Sequence, residues 1–319
     1  MRKLLCPVLI GLLAVSIANA APVTKQPAVV GDLISQVRQY AEIKTIHFQA
    51  VGHCKIRFKS GKIAVFKNTY SYWGDGSEFR IDFQQFTPGG EFDVLITDNG
   101  KHYRRFDRIA DQLVVLPAHP SHGEGPYIRC PILEPLAFLA PPKARWHWLN
   151  LSRIASDAGS VIDRCRKARR YRGRNVASGL VGRLTSSLYG RPVVVRFTVG
   201  GGAERLPLVT GWVATRNGRG GKRLRVRLGD VRYRAFTLKS GATIHLPVAF
   251  VERSRQNPSA GVFRVMIHHI SIDQPISPEK FTIDYKLARV VVDETGRGKP
   301  KYITVQPTHA APGGTRNLK

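Results

Sequence analysis

Glu91-Phe-Asp-Val-Leu-Ile-Thr-Asp-Asn-Gly-Lys-His-Tyr-Arg-Arg-Phe-Asp-Arg-Ile-Ala-Asp-Gln-Leu-Val-Val-Leu116 reads as strand, tight turn, strand, turn, strand. Asp98-Asn99-Gly100 is a strong hairpin signal, because Asn and Gly accept the positive φ that short hairpin turns require. The second connection, Asp107 to Gln112, is polar and leads into the apolar run Leu113-Val114-Val115-Leu116. Such a meander predicts a sheet-rich protein. It does not predict an enzyme built on a nucleotide loop or a catalytic elbow.

The first twenty residues read as an export signal. Arg2 and Lys3 form a basic start, Leu4 to Ile17 is a short apolar run, and Ala18-Asn19-Ala20 supplies the small residues of a cleavage site. Ala21 is then expected to begin a periplasmic or secreted chain. No later stretch is long and apolar enough for a membrane span. The formal charge is +28, of which only Arg2 and Lys3 belong to the signal, so basicity is a property of the exported chain. Apolar residues make up 43% of the sequence, which allows a substantial core and excludes a disordered chain. Cys54, Cys130 and Cys165 follow the signal. In an oxidising compartment one disulfide with one cysteine left over is expected, and all three pairings are open. Their wide spacing argues against structural zinc.

Around the meander the order of elements is helix, strands, a helical insert, more strands. Asp32 stands where an N-cap would, followed by Leu33, Ile34, Val37, Tyr40 and Ala41 at helical spacing. Ile46, Phe48 and Ala50 then alternate with polar residues, as in a half-buried strand. Ile63 to Trp73 and Phe79 to Phe83 suggest a hairpin about Gly74-Asp75-Gly76-Ser77, with Tyr72 facing Phe79 and Tyr70 facing Ile81. Pro131 to Leu139 reads as a short helix begun by proline, and residues 148 to 163 as a second. Strands are expected again at 193–199, 208–215, 224–228, 233–238, 243–252, 262–272 and 281–292. The chain after Gln306 has a disordered composition.

This order resembles the LolA/LolB-type lipoprotein-carrier superfamily, in particular its divergent outer-membrane lipoprotein-sorting-like members. The matching pieces are the helix Leu33 to Ile43, the hairpin Ile96 to Tyr103, the helix Pro131 to Leu139, the strand around Leu246-Pro247-Val248, and the closing Ile270 to Ile283 with its proline-then-phenylalanine ending. The resemblance implies a mainly β fold (α+β). A strongly curved antiparallel sheet would form an incomplete barrel, with the N-terminal helix against its concave face. It implies one such domain over 21–306; the 1–20 signal, a basic helical insert near 140–192, whose Arg164 to Arg174 stretch has no counterpart in the family, and a disordered tail over 307–319 are read from the residues themselves. In that family the half-barrel cavity receives acyl chains. Tyr40, Phe48, Tyr70, Tyr72, Phe79, Ile81 and Ile96 are the candidates to line it here, since half-barrels leave apolar space at the mouth.

Two basic clusters add a second expectation. Arg164 to Arg174 holds seven Arg or Lys in eleven residues, and Arg216 to Arg234 holds eight in nineteen against the one acid Asp230. Arg225, Arg227, Arg232 and Arg234 alternate with Leu224, Val226, Leu228, Val231 and Tyr233, which predicts a guanidinium stripe on one face of a strand. Arginine forks match phosphate and carboxylate. An anionic membrane surface or acidic polymer is therefore the expected partner, alongside lipid or lipoprotein acyl chains, and nucleic acid is not. His119, His122 and Glu124 share a Pro/Gly loop and are the one place where a hydrolase could be sought. No catalytic motif, metal set or cofactor loop accompanies them. The expectation is thus a non-catalytic envelope protein that carries a lipid-like ligand. The alternatives are a matrix- or polyanion-binding protein with a filled core and an envelope hydrolase.

Overall fold

A computed structural model describes residues 28–76, 78–117, 131–139, 169–170, 180–188, 191–201, 207–217, 223–256, 259–296 and 299–305. One helix, α1 (Ala28–Ala41), precedes a first meander of β1 (Thr45–Arg57), β2 (Ile63–Asp75), β3 (Glu78–Thr87), β4 (Gly90–Asp98), β5 (His102–Asp107) and β6 (Gln112–Pro117). After a 3-10 helix at Pro131–Leu139 come β7 (Arg169–Arg170), β8 (Leu180–Leu188), β9 (Arg191–Gly201), β10 (Pro207–Asn217), β11 (Arg223–Thr237), β12 (Thr243–Gln256) and β13 (Ser259–Ile272). Short strands β14 (Val290–Asp293) and β15 (Lys301–Thr304) close the described chain. All fifteen strands belong to one sheet. Its order is β15-β14-β6-β5-β4-β3-β2-β1-β13-β12-β11-β10-β9-β8-β7, so the two meanders join where β1 pairs with β13. Among the described residues its edges are β15 and β7, which do not pair with each other: the sheet is an incomplete barrel. Every pairing is antiparallel except β14 on β6.

The turns explain the meander. Asp98 Oδ1 accepts from the Gly100 amide, and Asn99 Oδ1 accepts from the Lys101 and His102 amides, while Gly100 sits at φ +75°. These side chains replace the backbone partners that a turn lacks. Asp107 does the same for the Ile109 and Ala110 amides. The hairpin between β2 and β3 is tighter than its sequence suggests. Asp75 pairs with Glu78, so Tyr72 faces Ile81, Tyr70 faces Phe83 and Phe79 faces Gly74. The shift is two residues, which keeps every side chain on its expected face.

Three other expectations are corrected. The helix starts at Ala28, four residues before Asp32. The two predicted strands at 224–228 and 233–238 are one strand, β11, kinked by a bulge at Asp230 with φ +55°. Residues 281–292 are mostly not strand. The chain from Gln274 to Arg289 crosses the outer face of the first meander in two 3-10 turns, Pro278–Phe281 and Tyr285–Leu287. Phe281 and Ile283 are buried there against the sheet, so their burial comes from anchoring a crossing segment and their alternation imitates a strand. Within 140–192 the described residues, Arg169–Arg170, Leu180–Leu188 and the start of β9 at Arg191 and Pro192, are strand. The signal, Cys130, Cys165, the 148–163 helix, most of the Arg164 to Arg174 cluster, the His119 to Glu124 loop and the tail lie outside the described residues.

Alternation gives the sheet two apolar faces in the first meander. The concave core joins Ile34, Val37 and Tyr40 of the helix to Phe48, Tyr72, Ile81, Ile96, Trp212, Leu228, Ile244 and Phe250, among others. On the convex side a smaller cluster, Leu95, Phe106, Leu113, Val115 and Val291, is covered by Ile283 and Ala288.

Candidate functional site

The helix is held against the far wall by one polar triangle. Gln36, on its buried face, donates through Nε2 to the Tyr233 hydroxyl (3.3 Å) and accepts at Oε1 from the Val209 amide (3.2 Å). The Tyr233 hydroxyl donates to the Val209 carbonyl (2.8 Å). Burial holds the phenol well above its ordinary pKa, with the Gln36 hydrogen bond acting in the opposite direction. A buried amide without those partners would destabilise the interior, so α1 is fixed to β10 and β11. Gln36 and Tyr233 are residues that sequence patterning misses, because a lone Gln within an apolar helical stripe carries no partner information.

The seven candidate cavity residues converge on the concave face. Phe48, Tyr72, Ile81 and Ile96 lie side by side in one cross-strand row over β1, β2, β3 and β4. Tyr70 and Phe79 belong to adjacent rows, and Tyr40 comes from the helix above. All seven are buried, and Phe48 stacks on Tyr72 at 5.1 Å. They close-pack. Open space begins where they end.

That space is a cavity of about 280 Å³ at the end of the concave face, lined by Cys54, Ile56, Phe66, Asn68, Tyr70, Gln85, Glu252, Ser254, Gly261 and Phe263. Its floor follows from the register. Cys54 pairs with Phe66 on one side and Phe263 on the other, and Phe263 pairs with Glu252. Glycine makes the room: a Cβ on Gly52 would stand 2.6 Å from the Phe263 ring, and one on Gly261 would meet the Ser254 Oγ at 3.0 Å. One side is apolar (Ile56, Phe66, Phe263). The other is a hydrogen-bonded set in which Gln85 donates to Asn68 and Asn68 donates to the Tyr70 hydroxyl, each at 3.1 Å. Such a site takes a slender ligand with a polar end. Of the predicted seven, Tyr70 alone lines it. The mixed apolar and polar character of Cys54 to Ile56 and Phe66 to Asn68 gives no sequence signal beyond ordinary strand alternation.

On the opposite face of the second meander, Arg225, Arg227, Arg232 and Arg234 are all exposed, while Val226 and Leu228 are buried. The irregularity around Asp230 makes this possible: the register shifts between Gly229 and Arg232 and shifts back before Tyr233, and across it odd-numbered arginines give way to even-numbered ones on the exposed face. Arg227 lies directly opposite Arg253 on β12, and Arg225 opposite Arg255. Like charges facing across a ladder repel. The ion pair of Arg253 with Asp230 (3.1 Å) is exposed and contributes about 0–1 kcal/mol. Lys55 and Arg57 continue the exposed basic surface on β1, with Arg264 on β13.

No protein-family model and no curated protein matches the chain. The likeness is to solved structures. The chain resembles LolA superfamily proteins. One, from Nitrosomonas europaea, is 14% identical, covers 79% of this chain and 98% of that one, and has a TM-score of 0.37. A DUF1329 family protein from Desulfovibrio piger is 12% identical over 81% and 98%, with a TM-score of 0.43. An outer-membrane lipoprotein-sorting protein domain from Vibrio parahaemolyticus is 7% identical over 80% and 96%, with a TM-score of 0.29. Two of these solved structures bear the name of the family that the sequence resembles, LolA superfamily and outer-membrane lipoprotein-sorting. Among the described residues no helix is long and apolar enough to cross a membrane, and no cluster of His, Cys, Asp or Glu is arranged to hold a metal.

Proposed function

We propose that the protein is a non-catalytic envelope carrier that binds a lipid-like ligand on its concave face. The ligand seats its chain between Ile56, Phe66 and Phe263 and its polar end against Asn68, Gln85 and Ser254. The observation that carries this reading is the 280 Å³ cavity opening beside a packed aromatic wall. That volume lies just under the roughly 300–1,000 Å³ of ordinary ligand pockets, so it suits one chain or part of one. Each methylene buried there contributes about 0.8 kcal/mol. The Gln36 triangle fixes the helix, so exchange proceeds through the open end. The exposed arginines of β11, with Arg253, Lys55 and Arg57, keep the carrier near an anionic surface such as membrane headgroups, in a periplasmic or secreted setting reached by cleavage after Ala20.

Titration with a fluorescent fatty acid tests the reading. Saturable binding at one site per chain, competed by unlabelled fatty acid, is expected. The second reading is a filled-core, polyanion-binding protein, and the close packing of the seven aromatic and aliphatic residues favours it. It predicts no saturable fatty-acid binding with vesicle binding retained.

A further inference from the structure

The convex face of the first meander carries a half-buried to buried polar row that the carrier reading does not use. Register places His47, Trp73, Arg80, Thr97 and Arg104 side by side on β1, β2, β3, β4 and β5. The 274–289 segment crosses this row. Arg80 Nη1 donates to the Lys280 carbonyl (3.4 Å), the Lys280 ammonium lies 5.3 Å from the Trp73 ring, and the Tyr285 ring lies 5.8 Å from the Arg104 guanidinium. Beneath it Thr97 is fully buried and Arg104 is 9% exposed. Among the described residues the Thr97 hydroxyl, both Nε and Nη1 of Arg104, Nε of Arg80 and Nε2 of His47 are buried without a hydrogen-bond partner.

A buried guanidinium without an acceptor is among the costliest arrangements in a protein interior. The carboxylates nearby are committed elsewhere: Asp82 pairs with Arg80 (3.2 Å) and Arg108 (2.8 Å), and Asp93 pairs with Arg108. On the covering segment Asp284 caps its own turn through the Lys286 amide. Asp82 and Asp93 are thus taken up by Arg80 and Arg108, and among the described residues the unpartnered buried polar atoms of this row lie at His47, Arg80, Thr97 and Arg104. Donors of this kind, fixed by strands and shielded from water, match a small tetrahedral oxyanion.

We propose that Arg104 and Thr97, with Arg80 and Lys280 at the rim, bind a phosphate-type oxyanion between the convex face and the 274–289 crossing. The anion is inorganic phosphate or the phosphate of a small headgroup. This site is on the other side of the sheet from the carrier cavity and does not depend on it.

The test is thermal melting and isothermal titration of the full chain with inorganic phosphate and with glycerol 3-phosphate, against chloride at matched ionic strength. At a phosphate concentration a hundredfold above its dissociation constant the melting temperature should rise by roughly 5 °C. Binding of phosphate alone identifies a free-anion site, and binding of both identifies a site open to headgroup phosphates. Thr97→Val keeps the shape of the side chain and should weaken phosphate binding at least tenfold. Arg104→Gln should abolish it, and should melt no lower than the parent in chloride, because it removes an unpaired buried charge. A parent indifferent to both anions, or phosphate binding unchanged in Thr97→Val and Arg104→Gln, overturns the proposal.

Discussion

Replacing Gly261 by leucine fills the proposed cavity from its wall. A Cβ at this position meets one tight neighbour, the Ser254 Oγ at 3.0 Å, and then the Ile56 Cγ1 at 3.8 Å and the Lys55 carbonyl oxygen at 4.0 Å. The serine hydroxyl turns aside at little cost, so the fold should tolerate the change within about 1 kcal/mol, as surface and edge substitutions usually do. The four side-chain carbons of leucine displace about four ligand methylenes. At about 0.8 kcal/mol each this removes about 3 kcal/mol of binding, or on the order of a hundredfold in affinity. Fluorescent fatty-acid titration gives the affinity, and a melt of the same sample shows whether folding is intact. A variant that melts like the parent and binds within twofold of it would refute the location of the site.

Gln36→Ala leaves the Val209 amide and the Tyr233 hydroxyl short of partners under the helix, and chemical denaturation should show a loss of about 2 kcal/mol. Tyr233 ionises above its usual pKa in the folded state, so stability is full below about pH 10, where the phenol is neutral in both states. It should fall as pH rises past 10, because the unfolded chain loses the proton first. Tyr233→Phe should flatten that alkaline loss. His47 is held below the ordinary imidazole value of 6.5 by burial first, then by Lys280 and His269. The unfolded chain therefore takes up the proton first, and stability should drop as pH falls below 6.5; His47→Gln should reduce that acid dependence in denaturation curves. Changing Arg225, Arg227, Arg232 and Arg234 together to Gln should remove most co-sedimentation with anionic vesicles. In the parent that binding should weaken steeply with salt, since screening acts over about 8 Å at physiological ionic strength.

Strand alternation made much of this fold legible. Ile46, Phe48 and Ala50 point inward as their spacing requires, and the Asp98 and Asp107 turns fall where Asx side chains can replace backbone partners. Arg225 and Arg227 are exposed for the same reason. What escaped the sequence was tertiary. The two-residue turn after Asp75 set the β2–β3 register, and a four-residue loop would have fitted the same Gly-Asp-Gly-Ser run. Phe281 and Ile283 alternate like a strand but anchor a crossing segment, which only the presence of an already paired sheet beneath them decides. The seven cavity candidates are bulky residues that pack together in the core, and Tyr70 among them also reaches the cavity. The space lies instead beside Gly261 and Ser254, where small residues leave it, next to a hydrogen-bonded Asn68 whose role depends on Gln85, seventeen residues away.

Mass spectrometry of lipids extracted from the purified, exported chain tests the central claim most directly. The carrier account predicts a single-chain or acylated lipid recovered in proportion to protein, and its depletion from Gly261→Leu prepared alongside. Parent protein that is folded, free of lipid and unable to take up fatty acid on incubation would contradict it.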